Sequence, residues 1–522
     1  MAIKKADQGG EKKVILLILD GWGLAPKSKG NAIALAKTPF IDSLYRKYPW
    51  TQLSASGRSV GLPSGQSGNS EAGHMNIGAG RVIDQDTIKI SKQINTGEFF
   101  KNPAFIAAIN HAKKNKSALH IMGLIAPSGQ SPHSNPDHLL AVLTMVRRYK
   151  VKNIYLHLFT DGRDSPPRSS LKYIGALERG LRPNEIIATV IGRYYSMDRK
   201  KKWSNTGWAY ETMIKGQGHK AKSPQEGITR AYNADITDEF IEPIVMYKKG
   251  RMVRRIKNND AIIFFNLRSD RARQLAKPFV QKDFEKMNPK SEKRSKVLKN
   301  VVFTAMTDFG PDLGDILTAY PSEDILDTLP MHLKDKKQVY IAESEKYAHV
   351  TYFVNGGYTD PVGGEDRVII PSPDVTSYDE TPAMSTAKLA TKLISSLKKY
   401  DFILTNIACP DMIGHTGNLE AGIKAAEATD KYVKKIHNAA IASGFTLLIT
   451  ADHGNLEYMF NEDTGEIMTQ HTSNPVPFIV VEKGISKNKK LKTKGELANL
   501  APTILKLMGV KKSKLMKKES LI

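Results

Sequence analysis

Residues 14–23 read VILLILDGWG. Val14–Leu19 is continuously apolar rather than alternating, which predicts a strand covered on both faces, central and parallel in its sheet. The run stops at Asp20. Ligands of open α/β sheets gather beyond the carboxyl ends of the strands, so this carboxylate stands where chemistry is done. Gly21-x-Gly23 does not make a dinucleotide fingerprint. Pro26 occupies the third glycine's place, and an acid at the strand end would repel a pyrophosphate. Lys4, Lys5, Lys12 and Lys13 precede the run as in a signal peptide, but it ends too soon for an h-region or a membrane span. A soluble, cytoplasmic protein is expected.

The same pattern repeats downstream. Ala118–Ile125, Ile154–Phe159, Glu185–Ile191, Ala261–Phe265 and Val301–Met306 read as strands. Thr38–Tyr48, Ile88–Ile94, Phe105–Lys114, His138–Tyr149 and Ser169–Arg179 read as helices, and the basic stretch Lys282–Lys299 as a surface excursion. Past a linker at Tyr320-Pro321-Ser322, strands are expected at Gln338–Ile341, Ala348–Phe353, Phe402–Ile407, Thr446–Ile449 and Phe478–Val481. Helices are expected at Ser385–Tyr400, Leu419–Ala442 and Leu497–Met508. This alternation is that of an α/β protein.

Residues 61–74 read GLPSGQSGNSEAGH, with Gly61, Gly65 and Gly68 ahead of Ser70. Glycines let a bulky anion approach the backbone. Asn69 is placed to cap a short helix beginning at Ser70, aiming backbone N–H groups at whatever the hydroxyl attacks. No lysine stands where a Walker loop needs one. Alone, the stretch reads more readily as a flexible loop with a solvated serine. Polar chemistry at the other strand ends decides the matter.

Asp20, Asp411, His415, Asp452, His453 and His471 all fall near strand boundaries. Mixed carboxylates and imidazoles suit Mn²⁺ or Zn²⁺ better than Mg²⁺, and with a serine oxygen they suffice for two metals on one phosphoryl group. In the middle segment Arg163, Arg193, Arg199, Arg268 and Arg271, with His133 and Asp164, make an anion pocket. Asp164 amid cations stays ionised and available as a proton carrier. The single cysteine, Cys409, excludes an internal disulfide and reads as a packing residue.

Lys+Arg number 77 against 53 Asp+Glu, a net charge of +24. Nucleic acid would account for such a charge, but the basic residues lie scattered in short runs. No zinc-finger spacing or RRM-type aromatic motif accompanies them, so a solvated lysine-rich surface is the preferred reading.

Several stretches together resemble the cofactor-independent phosphoglycerate mutases of the alkaline-phosphatase superfamily, over nearly the whole chain and in the family's order. They are LDGWG (19–23), GQSGNSEAGH (65–74), TDGRDSPP (160–167), GRYYSMDR (192–199), FNLRSDR (265–271), ESEKYAHVTYF (343–353), PDMIGHTG (410–417), ADHGN (451–455) and HTSNPVP (471–477). The resemblance implies an alkaline-phosphatase-like parallel-sheet domain, residues 1–84 and 321–522, with a second α/β domain inserted at 88–317. It implies interconversion of 3-phosphoglycerate and 2-phosphoglycerate by a monomer, without bisphosphoglycerate. Ser70 is then the phosphoryl acceptor. Asp411, His415 and His471 match the ligands of one divalent metal, and Asp20, Ser70, Asp452 and His453 those of another, with Mn²⁺ favoured. His133, Arg163, Asp164, Arg193 and Arg199 match glycerate-holding positions, and Arg268, Arg271 and Lys346 phosphate-side positions. A metal-dependent phosphomonoesterase or other phosphomutase is the alternative; it should lack TDGRD and GRYYSMDR. The chain departs from the pattern at Ala126–Asn135, where Asn135 replaces a second histidine, and at Lys200–Lys202.

Overall fold

The strand Lys13–Leu19 lies between two parallel neighbours, Phe402–Ile407 and Phe445–Thr450. Leu19 pairs with Ile407, and Ile18 with Thr450, so the chain leaves all three strands at one edge of the sheet. That register, set by near-total burial of the apolar run, puts Asp20, Asp411 and Asp452 on the same side. In a computed structural model the described residues are 11–129, 131–310 and 312–522; Lys4 and Lys5 lie outside them.

Among these residues the chain divides into two compact units, one running to Gln85 and resuming at Glu323–Ile522, the other Asp86–Ser322. The first is built on an eight-stranded sheet. Asp366–Ile370, Gln338–Glu343, Phe402–Ile407, Lys13–Leu19 and Phe445–Thr450 are parallel, and Val476–Val481 runs antiparallel beside the last. An antiparallel strand begins where its neighbours end, so His471, just ahead of Val476, comes to the same edge as the three aspartates. Trp50–Ser54 and Gly495–Glu496 complete the sheet. The second unit has a nine-stranded sheet whose centre is the parallel set Val302–Thr307, Ala261–Phe264, Leu119–Ile125, Ile154–Thr160 and Glu185–Gly192. Helices pack on both sheets, which makes each unit α/β. No helix among the described residues is long and apolar enough to cross a membrane.

Two expectations need correction. His349–Phe353 is a wide helical turn, not a strand. Its β-branched and aromatic residues favour strand locally, but Val350 and Thr351 are buried, and Thr351 donates to Tyr347 O as helical backbone permits. Tyr320 ends a strand, Leu317–Tyr320, on the edge of the second sheet, so the linker is shorter than read. Lys282–Lys299 runs over the surface, as expected, and is anchored there: Phe284 is buried, and the buried Arg294 guanidinium bonds Glu285 and three backbone carbonyls.

Candidate active site

Ser70 opens the helix Ser70–Ala79, and the Asn69 side chain caps it by accepting from Ala72 N. Gly68 earns its place here. A Cβ on it would lie 2.1 Å from Ala55 O and 2.9 Å from the His453 Cβ, so only glycine lets this loop rest on the histidine. Ser70 is buried, with Oγ 2.9 Å from His453 Nε2 and 3.3 Å from Asp20 Oδ1. Lys346, from the turn after Gln338–Glu343, reaches the same point. Its Nζ donates to Ser70 Oγ at 2.9 Å, Asp20 Oδ1 at 2.8 Å and Asp411 Oδ2 at 2.6 Å.

The histidine tautomers follow from their second partners. His415 Nδ1 is 2.8 Å from Thr469 O and His471 Nδ1 is 2.9 Å from Gly68 O. A carbonyl can only accept, so each Nδ1 carries a proton, and in the neutral ring each Nε2 presents a lone pair. Those two Nε2 atoms lie 3.0 Å apart, and 3.4 and 3.3 Å from Asp411 Oδ1. With both rings neutral, three electron-rich atoms converge with no hydrogen between them. This is the donor set of a cation site, oriented by carbonyls behind it. Around Ser70, Asp20 Oδ1 and Asp452 Oδ2 each lie 3.5 Å from His453 Nε2. Asp452 Oδ2 is buried without a hydrogen bond. Ligand atoms of Asp411, His453 and His471, and separately of Asp20, His74 and Asp452, fall within 4.8 Å of one another. The residues fit divalent metal.

Electrostatics follow from burial and crowding. Burial and the Asp452 charge raise the Asp20 pKa, against the pull of Lys346. Burial opposes ionisation of Asp411 too, but the Lys346 charge, with His415 and His471 beside it, outweighs it and holds the pKa well below the usual range. Burial is likewise overcome at Asp452, by His453 and His74, and at Lys346, which the aspartates keep charged. His453 is pushed down to about 4, chiefly by burial, which leaves its imidazole neutral.

The second unit gathers its own cluster at the carboxyl ends of its strands. Arg193, buried, bonds both Asp161 and Asp164 through Nη1, the latter at 2.6 Å. Asp164 also accepts from Ser131 Oγ at 3.1 Å and lies 4.0 Å from His133 Nε2. Burial opposes ionisation of Asp164, but Arg193 and His133 outweigh it and lower its pKa. Burial, then the Arg193 charge, pushes His133 down to about 4. The Arg271 pKa is lowered by burial and by the like charges of Arg193, Arg199 and Arg163, a sign of how closely the cations gather. Arg199 and Arg268 share Asp270, at 2.6 and 3.8 Å, and Arg163 faces Glu239 at 3.6 Å. His133 Nδ1, Arg193 Nε and Asp161 Oδ2 are buried with no protein hydrogen-bond partner.

Thus the first unit assembles Asp20, Ser70, Lys346, Asp411, His415, Asp452, His453 and His471, and the second His133, Arg163, Asp164, Arg193, Arg199, Arg268 and Arg271. Sequence reading missed the supporting groups. His74 donates from Nδ1 to Ser70 O and accepts at Nε2 from Asn406, whose Nδ2 also bonds Asp20 Oδ2 at 2.6 Å. Asn455 Nδ2 holds Asp411 Oδ1 at 2.7 Å. A buried asparagine inside the apolar strand Phe402–Ile407 was a legible signal. The departures are also explained locally. Asn135 caps the helix Pro136–Arg148, and Lys202 Nζ bonds the Tyr194 hydroxyl at 2.7 Å. Cys409 is buried against Thr386 and Thr429, its thiol pushed up to about 11 by burial.

Comparison with known proteins places this geometry. A family model described as Metalloenzyme superfamily matches residues 12–512. The 2,3-bisphosphoglycerate-independent phosphoglycerate mutase of Clostridium botulinum (strain ATCC 19397 / Type A) is 44% identical over 520 residues, 98% of this chain and 99% of its own length. The protein of that name from Moorella thermoacetica is 43% identical over 518 residues, 98% of each chain. Among solved structures, Leishmania mexicana phosphoglycerate mutase at low cobalt concentration aligns with a TM-score of 0.72 and 28% identity, over 100% of this chain and 99% of its own.

Proposed function

The chain belongs to the 2,3-bisphosphoglycerate-independent phosphoglycerate mutase family within the metalloenzyme superfamily, isomerases of 3- and 2-phosphoglycerate, and we propose that its Ser70 carries the phosphoryl group between the two oxygens. One observation carries this reading: Ser70 Oγ, at a helix N-terminus, touches His453 Nε2, Lys346 Nζ and Asp20 Oδ1 at once. Few serine hydroxyls meet an imidazole, an ammonium and a carboxylate together, and the combination favours an activated nucleophile.

Ser70 Oγ bonds phosphorus as the bond from phosphorus to the glycerate oxygen breaks. The helix N-terminus and the Lys346 ammonium offset negative charge on the transferring group. Two divalent ions, held by Asp411, His415 and His471 and by Asp20, Ser70, Asp452 and His453, with Mn²⁺ preferred, would supply Lewis acidity that lowers the hydroxyl's pKa. Glycerate is retained by Arg163, Arg193 and Arg199 with His133, while Arg268 and Arg271 serve its phosphate side. Asp164, held ionised, takes the proton of the glycerate hydroxyl that reclaims the phosphoryl group and passes it to the glycerate oxygen from which phosphorus departed. The enzyme acts as a cytoplasmic monomer, needs no bisphosphoglycerate, and carries its charge of +24 as a solvated surface rather than a nucleic-acid face.

The test combines an assay with a chemical trap. The protein, given 3-phosphoglycerate and Mn²⁺ without bisphosphoglycerate, should form 2-phosphoglycerate, and a rapid quench should find phosphate on Ser70. Ser70→Ala should abolish both. Phosphate on Ser64 or Ser67 instead would overturn the assignment.

A further inference from the structure

Glu457 is 1% exposed and takes no part in the chemistry above. Its carboxylate lies behind the metal-ligating residues and accepts four hydrogen bonds. Oε2 accepts from Gly23 N at 3.1 Å and Asn455 N at 2.8 Å; Oε1 accepts from Asn474 Nδ2 at 3.0 Å and from the Thr472 hydroxyl. Four acceptor positions are a carboxylate's full capacity, and none here is met by lysine or arginine. Buried carboxylates are ordinarily paired with a cation, so an acid held by neutral donors alone calls for an explanation.

The donors supply it. Gly23 belongs to the turn that follows Asp20. Asn455 follows His453 by two residues, and its side chain holds Asp411 Oδ1. Thr472 is next to His471, and its N–H bonds Gly454 O at 2.9 Å. The segments that carry Asp20, Asp411, His453 and His471 thus meet at one carboxylate, directly or through Asn455; that of Ser70 does not. The approach is too close for any other side chain. A Cβ on Gly23 would fall 2.3 Å from the Glu457 Cδ, and one on Gly454 2.2 Å from its Oε1. We propose that Glu457 is a positioning residue for metal binding, a buried clamp that sets the separation of the loops bearing Asp20, Asp411, His453 and His471 before any cation arrives. The inference rests on the metal-binding reading above and adds a residue that touches neither metal nor substrate.

Glu457→Gln is the sharpest probe, because it keeps the shape and removes acceptor capacity. Whichever way the amide turns, one end is an NH₂ group facing N–H and O–H donors. Metal-stripped wild type and variant are titrated with Mn²⁺ by calorimetry, after far-UV circular dichroism and a thermal melt show both folded at that temperature. Loss of an outer partner of metal ligands costs about 10–100-fold in affinity, and that weakening is expected here while the metal-free fold persists. Should Glu457→Gln not fold, Thr472→Val carries the test, removing one bond of the four, with Thr472→Ser as the rescue that restores the hydroxyl. Weaker Mn²⁺ binding by the valine variant than by the serine variant supports the clamp. Equal Mn²⁺ affinity in wild type and Glu457→Gln, or in the Val and Ser variants, overturns it and leaves the metal site standing. Absence of Mn²⁺ binding by wild type would instead overturn both readings together.

Discussion

Arg193→Ala separates retention of glycerate from chemistry on phosphorus, and its consequences can be worked from the second unit's geometry. The guanidinium is 2% exposed and Asp161 beside it 1% exposed. Once Arg193 is removed, Asp161 Oδ1 keeps only long backbone contacts, from Arg163 N at 3.4 Å and Asp164 N at 3.2 Å. Stranding a buried partner in this way costs about 3–5 kcal/mol. At about 2–4 °C per kcal/mol for a unit of this size, the melting transition of the second unit should fall by roughly 6–20 °C. Replacing both partners, as in Arg193→Leu with Asp161→Leu, should regain most of that loss. The double variant therefore keeps the fold while lacking the arginine.

Function should not be regained. Arg193 Nη1 is engaged by the aspartates, while Nε is buried with no protein partner, which leaves that edge for a carboxylate. A charge-assisted hydrogen bond contributes on the order of 1.5–3 kcal/mol, so glycerate should escape about 10–100 times faster. The assay is the ratio of inorganic phosphate released to 2-phosphoglycerate formed, and it should rise by that order in both variants. Asp164 adds a second readout in Arg193→Ala. Although burial pushes its pKa up, Arg193 outweighs burial and holds it low. Without the arginine that pKa climbs, and the acid limb of the mutase profile moves to higher pH. The stability sign agrees. A depressed carboxylate pKa stabilises the fold above its unfolded value of about 3.9, and that contribution disappears as pH falls through the folded value. The gap in melting temperature between wild type and Arg193→Ala should therefore narrow in acid. An unchanged ratio, with both rates falling together, would refute the reasoning.

Two other outcomes are expected. Lys346→Met should lower the turnover number by about 10²–10³-fold, the usual cost of one preorganised donor to a developing anion, while Mn²⁺ binding is kept, because the change removes a like charge from among the aspartates; turnover within tenfold of wild type refutes that role. Mn²⁺ binding should release protons, measured by calorimetry in buffers of different ionisation enthalpy: burial and Asp452 raise Asp20, and at His415 the Asp411 carboxylate outweighs burial to raise its pKa, so each must shed its proton to ligate. Affinity and activity should fall together as pH drops through about 6.5 and return with added metal, whereas binding without proton release would refute the linkage.

How much of this was legible in the sequence depends on the kind of signal. Continuous apolar runs such as Val14–Leu19 and Ala261–Phe264 identify central parallel strands, because burial on both faces leaves no polar position to interrupt them. The strand ends then identify Asp20, Asp411 and Asp452. Strands toward the margins of the sheet carry no such mark: Trp50–Ser54, next to the last, alternates exposed and buried, and Asp366–Ile370, at the edge, is half-exposed. At His349–Phe353, local β preference lost to tertiary packing, which periodicity cannot see over one turn. Supporting residues were harder still. Asn406 bonds Asp20 across 386 positions, Glu457 bonds Gly23 across 434 and Asn455 bonds Asp411 across 44, a relation that spacing along one chain does not contain.

Charge explains why these supports cluster as they do. Asp20, Asp411 and Asp452 share the site with one ammonium, that of Lys346. Ligand atoms of Asp20 and Asp452 lie within 4.8 Å, where two like charges at an effective dielectric constant of about 20 repel by roughly 3–4 kcal/mol. Hydrogen bonds from Asn406 and Asn455 lower that cost without contributing charge, and Lys346 cancels only one carboxylate. The remainder appears as the raised pKa of Asp20. A phosphate monoester dianion entering this site would add to the repulsion, and the neutral imidazole of His453 cannot offset it. The charge balance therefore favours cations binding before substrate, since without them neither the carboxylates' excess charge nor the dianion's own is matched.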